Sequence, residues 1–94
     1  ALLRTLSAFL RGSTELLGRA EVTLGEEAEA VRQYLQIMQA RLGERLRFEV
    51  AVAPEVAATT LPPGLLLTLV ENAVEHGLAP ALAGGTVRLH AARE

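Results

Sequence analysis

The chain carries Leu61-Pro62-Pro63 followed by Leu69-Val70-Glu71-Asn72-Ala73-Val74-Glu75-His76-Gly77. Across this region Leu65, Leu66, Leu69, Val70, Ala73 and Val74 recur at the three-and-four spacing of an amphipathic helix. Proline suits a first helical position, where its missing N–H has no partner to lose, and glycine suits the residue just past the last turn. Pro62-Pro63 and Gly77 are therefore expected to bracket the helix. On its N-terminal side Leu46, Phe48, Val50 and Val52 alternate with Arg47, Glu49 and Ala51, up to a closing Pro54. On its C-terminal side Gly84-Gly85 makes a turn, and Val87, Leu89 and Ala91 then alternate with Thr86, Arg88 and His90. Both alternations have the period of a strand with one buried face.

Further upstream, Leu3, Leu6 and Leu10, with Ser13 in the next slot and Leu17 after it, predict a helix over 2–17. Gly12 weakens it by about 1 kcal/mol relative to Ala, and Gly18 is placed to stop it. Thr23-Leu24-Gly25-Glu26 is a capping box, in which the Thr hydroxyl accepts from a free backbone N–H and the Glu reaches back to the cap's own N–H. From there Leu24, Ala28, Val31, Leu35, Met38 and Leu42 hold a heptad seam, with Glu26, Glu29, Arg32 and Gln36 facing elsewhere, until Gly43. The order is helix, helix, strand, helix, strand, an α+β chain. The seam admits two packings: the first two helices against each other within one chain, or with a second copy as a dimeric helical bundle.

A chain of 94 residues forms one small core at most. Half of the residues are apolar but only 3% are aromatic, so Leu, Val and Ala must fill that core, which favours self-association. The net charge of -2 and scattered arginines give no basic stripe for nucleic acid. There is no cysteine, and His76 and His90 are too far apart for a common metal-ligand pattern. No apolar run approaches the ~20 residues of a membrane span, and no cleavable signal pattern is present. The segment is thus expected in the cytosol without membrane contact, any anchor belonging to other parts of a longer protein. Every acid is Glu and every non-histidine base is Arg, so chemistry that needs an Asp or a Lys is excluded here.

At about 100° per residue, Asn72 and His76 share one line along the edge of the stripe formed by Leu65 and Leu69. Burying an unpartnered amide there would cost roughly 1–3 kcal/mol, which asks for a specific partner, and a hard cation held through the amide oxygen is one. The plainer alternative has Asn72 bonded to neighbouring backbone and His76 as a partly solvated helix-end side chain, and spacing alone favours it. Glu71 and Glu75 fall on the opposite side of the helix and read as a solvated face.

Taken together, these blocks resemble a family. Leu69 to Gly77 with Leu61-Pro62-Pro63 before it is similar to the N box of LytS-type sensor histidine kinases. Val22-Thr23-Leu24, Glu26-Glu27, Tyr34-Leu35-Gln36-Ile37 and Arg41 to Leu46 resemble the helix that joins that family's phosphoacceptor region to its ATPase domain. The resemblance covers nearly the whole chain, and the order and spacing of its blocks make it more specific than the N box alone.

It implies a helical dimerisation and linker region over 1–45 and, over 46–94, the first part of a histidine-kinase-type ATPase α/β sandwich. Asn72 would be the Mg²⁺ ligand that bridges the ATP phosphates, with Glu71 and His76 assisting phosphate and metal placement. The longer protein would autophosphorylate a His with ATP and pass the phosphoryl group to a response regulator; a dimerising scaffold without phosphotransfer is the alternative. Two positions depart from the family pattern, Thr68 where Gln is usual and Glu75 where Lys is common. A Glu beside a triphosphate would repel it, so either Glu75 points away or nucleotide affinity is reduced. The family's Asn-Pro-His-Phe motif is not in this sequence, nor, without an Asp, is its Asp-x-Gly-x-Gly box. The 94 residues alone are expected to bind Mg-ATP weakly or not at all and to be inactive.

Overall fold

The computed structural model describes residues 4, 6, 7, 9–11, 18–78 and 83–92. Residues 4, 6, 7 and 9–11 are helical, as the spacing predicts; the rest of the expected helix, with Gly12, Ser13 and Leu17, lies outside the described residues. Here Phe9 turns inward, its ring centroid 6.1 Å from that of Tyr34, while the seam residues Leu6 and Leu10 are exposed.

Strand β1 (Val22–Thr23) leads directly into helix α1 (Leu24–Leu42). The capping box closes as expected: Thr23 Oγ1 accepts from the Glu26 N–H at 3.1 Å, and Glu26 Oε1 accepts from the Thr23 N–H at 2.9 Å. Gly43 ends the helix at φ 65°, its N–H donating to the Gln39 carbonyl. Ala28, Val31, Leu35 and Met38 of the seam are buried, and Leu24 and Leu42 are half-buried at its ends.

Strand β2 (Leu46–Val52) follows a short 3-10 turn, and strand β3 (Thr60–Leu61) pairs antiparallel with β1, Val22 opposite Leu61. Helix α2 (Leu65–Asn72) continues without a break into a π-helical turn over Ala73–Leu78. Strand β4 (Gly85–Ala91) then lies parallel to β2 in unbroken register, from Leu46 opposite Gly85 to Val52 opposite Ala91. A parallel pair needs a crossover connection, and α2 supplies it.

The alternation read from both strands holds: Leu46 is buried, Phe48, Val50, Val87 and Leu89 pack half-buried on the core, and Arg47, Glu49, Arg88 and His90 are exposed. The buried cluster of Val31, Tyr34, Leu35, Met38, Leu46, Val70 and Val74 joins α1, the sheet and α2 in one core. The architecture is the mixed α/β arrangement expected, helices on one face of a small sheet. Among the described residues no helix is long and apolar enough to cross a membrane.

Three local readings change. Pro62 and Pro63 stand before the helix, and the N-cap is Gly64 at φ 86°, a backbone conformation that glycine adopts without strain. Gly77 does not cap the end, since it lies within the π-helical turn and has no positive φ. The stripe of Leu65 and Leu69 faces outward, the two side chains being 49% and 59% exposed, and the helix buries Val70 and Val74 instead. Val70 and Val74 are buried because α1 and the sheet pack on that face of the helix.

Candidate functional site

Helix α2 is placed from its N-terminus. The first N–H groups of a helix have no partner within it, and Gly64 has no side chain to offer. Glu27 of α1 fills the role from a distance. Its Oε1 accepts from the Leu66 N–H at 3.0 Å and the Leu67 N–H at 3.2 Å, and its Oε2 accepts from the Gly64 N–H at 3.3 Å. The Leu65 N–H reaches the Pro62 carbonyl at 3.5 Å, so every free donor of the first turn is met. Glu27 is only 1% exposed, and its carboxylate sits against the positive ends of two helix dipoles, its own and that of α2.

Sequence reasoning missed this residue's role. The signal was present, because Glu27 precedes Val31 by four and so lies on the apolar seam, where a charge requires a partner.

The two helices run side by side in the same direction. Glu27 meets the start of α2, and Arg41, in the last turn of α1, pairs with Glu75 in the π-helical turn at 3.7 Å. Between these points Tyr34 is buried, and its hydroxyl has no hydrogen-bond partner among the described residues. Burial, and then the nearby Glu75 and Glu71 carboxylates, push its pKa up to about 12, with Arg41 acting in the opposite sense.

Glu71 and Glu75 are both exposed. Glu75 faces Arg41 of α1, with which it pairs at 3.7 Å.

Asn72 is the last α-helical residue and His76 lies in the π-helical turn; both are exposed. Among the described residues neither side chain has a hydrogen-bond partner. The Asn72 carboxamide is not buried at a rim but open to solvent. By helical spacing Leu65, Thr68, Leu69 and Asn72 share one face. Along it runs an open groove of about 340 Å³ lined by Pro62, Pro63, Gly64, Leu65, Thr68 and Leu69. Short π-helical insertions re-aim the residues that follow them and recur at functional sites.

Among the described residues no group of three or more His, Cys, Asp or Glu side chains could cage a metal ion alone. The exposed Asn72 oxygen could contribute at most one ligand to a hard cation that takes the rest of its shell from elsewhere.

Comparison with known proteins identifies relatives along nearly the whole chain. A family model described as histidine kinase matches residues 1–46. The chain is 39% identical over 93 residues to the sensor histidine kinase BtsS of Escherichia coli (strain K12), covering 99% of this chain and 16% of that protein. It is 33% identical over 90 residues to the sensor histidine kinase YesM of Bacillus subtilis (strain 168), 96% of this chain and 15% of that one. With the sensor histidine kinase/phosphatase LytS of Staphylococcus aureus (strain Mu50 / ATCC 700699) it shares 31% over 93 residues, 99% of this chain and 16% of the relative. The chain thus spans about a sixth of the length of these curated relatives.

Proposed function

The chain belongs to the LytS-type sensor histidine kinases, and from that premise we propose that it supplies the linker helix and the metal-binding helix of a kinase that uses Mg-ATP to phosphorylate a histidine. The observation that carries this reading is Asn72, a carboxamide at the end of a capped helix, open to solvent, with no partner of its own among the described residues. In this reading Asn72 would hold a Mg²⁺ ion, and Glu71 and His76 would help to place phosphate and metal. The ion, when bound, neutralises charge on the triphosphate. The chain's own residues do the positioning: Glu27 seats the helix, Arg41 draws Glu75 aside, and Val70 and Val74 anchor the buried face.

The longer protein then passes the phosphoryl group to a response regulator. The exposed Leu6 and Leu10 of the N-terminal helix support a homodimer formed through that region. The same exposed pair supports the second reading, a dimerising module without phosphotransfer, which differs in having no need of Asn72.

The two readings separate in the full-length protein carrying Asn72→Ala. The kinase reading expects Mg²⁺-dependent ATP binding and autophosphorylation to be lost while the dimer persists. Unchanged binding in the variant overturns it and leaves the scaffold.

A further inference from the structure

Glu27 is the one buried charged side chain among the described residues. A carboxylate with three backbone N–H partners could be a cap and nothing more, but three features of its surroundings give it a further part.

First, its own backbone is held on the side of α2. The Leu24 N–H donates to the Thr59 carbonyl at 2.7 Å and the Gly25 N–H to the Ala57 carbonyl at 2.9 Å, while β1 pairs with β3 just ahead of Pro62. Gly25 approaches so closely that an added Cβ would lie 3.3 Å from the Ala57 oxygen. Second, among the described residues the first turn of α2 has one other acceptor for its free N–H groups, the Pro62 carbonyl at 3.5 Å. The direction in which α2 starts is therefore set by the Glu27 oxygens. Third, α2 is regular helix from Leu65 to Asn72, and the π-helical turn begins immediately after Asn72. From Leu67 to Asn72 is roughly 7 Å of rigid helix at 1.5 Å per residue. The Glu27 contacts and Asn72 thus lie on one continuous helix, which Val70 and Val74 hold in the core.

We propose that Glu27 is the positioning residue for Asn72, so that the metal affinity of the nucleotide site is set by where α1 holds this carboxylate. The inference rests on the reading of Asn72 as the Mg²⁺ ligand. A movement of α1 relative to the sheet, whatever causes it, then changes the pitch of α2 and with it the placement of the Asn72 oxygen.

The experiment compares the full-length protein with its Glu27→Gln and Asn72→Ala variants. It measures the Mg²⁺ concentration for half-maximal ATP binding, ATP binding in excess chelator, and the thermal melt without nucleotide. Gln keeps the length of Glu27 but turns one acceptor into a donor that opposes a backbone N–H. Glu27→Gln is expected to raise the Mg²⁺ requirement by about tenfold, as loss of a supporting group around a metal ligand does. Metal-free ATP binding stays unchanged in the folded variant.

An unaltered Mg²⁺ requirement in folded Glu27→Gln overturns the inference. So does a parallel fall of metal-dependent and metal-free binding that tracks the folded fraction, because a purely structural cap acts that way. If Asn72→Ala also leaves the requirement unaltered, the nucleotide reading itself has failed; if Asn72→Ala raises it and Glu27→Gln does not, only the role of Glu27 has. Should Glu27→Gln not fold, Glu27→Asp keeps the charge and withdraws it by one methylene. Faster amide exchange at Leu66 and Leu67 in that variant, with no rise in the Mg²⁺ requirement, would again overturn the inference.

Discussion

At the scale of single residues, the tightest constraint is Gly84. It has φ 71°, and a Cβ built on it would lie 2.0 Å from the Arg45 carbonyl oxygen, which is backbone and cannot swing away. Gly84→Ala is expected to lower stability by about 2–4 kcal/mol, from backbone strain and overpacking together. Urea denaturation measures it, and an unchanged midpoint would mean that the start of β4 can shift. Tyr34 carries the opposite lesson, because its buried hydroxyl lacks a hydrogen-bond partner among the described residues. Since the folded-state pKa of about 12 lies above the ordinary 10.0, the folded chain holds this proton while the unfolded chain releases it. The stability from the protonated phenol is complete below pH 10 and is lost as pH rises toward 12. Tyr34→Phe is expected to be at least as stable as the parent at neutral pH and to lack that alkaline loss, read from melts across the pH range. None of this was legible beforehand. Tyr34 sits beside the seam position Leu35, and only the packing of Phe9 and α2 around it reveals an enclosed hydroxyl.

At the scale of elements, local chemistry decides the ends of α1. Thr23→Ala removes the hydroxyl that accepts from Glu26 N–H and is expected to cost about 1 kcal/mol of stability. The Glu26 pKa is held below its ordinary 4.5, mainly by the Thr23 backbone N–H and next by Arg19. A depressed carboxylate contributes stability that is present above 4.5 and lost as pH falls through the lowered value. Acid melts of the parent and Glu26→Gln should therefore converge at low pH; a constant gap between them would show that the box does not titrate with the fold. The box was readable from Thr23-Leu24-Gly25-Glu26 alone because every atom in it comes from four consecutive residues. The start of α2 was misread because its cap comes from Glu27, 37 residues before Gly64.

At the scale of the whole molecule, one small core carries the fold. Leu35 is fully buried at its centre, between the sheet and both helices. Leu35→Ala is expected to cost about 2–5 kcal/mol, which for a chain of 94 residues approaches the whole stability a single core supplies. Calorimetry of the variant should show no cooperative transition at 25 °C or above, and a retained sharp melt would point to stabilisation from beyond this core.

Features written in near neighbours were legible in the chain: the limits of α1, the alternating faces of β2 and β4, the presence of α2, and the family blocks with Asn72 among them. Each follows from backbone periodicity or capping within a few residues. Only the tertiary structure decided that β2 and β4 pair in parallel, that Leu65 and Leu69 face outward while Val70 and Val74 are buried, that Glu75 turns to Arg41, and that a buried Glu27 seats α2. These depend on which distant surfaces meet. An amphipathic helix near the end of its stripe can bury either edge, and the choice falls to whatever packs against it.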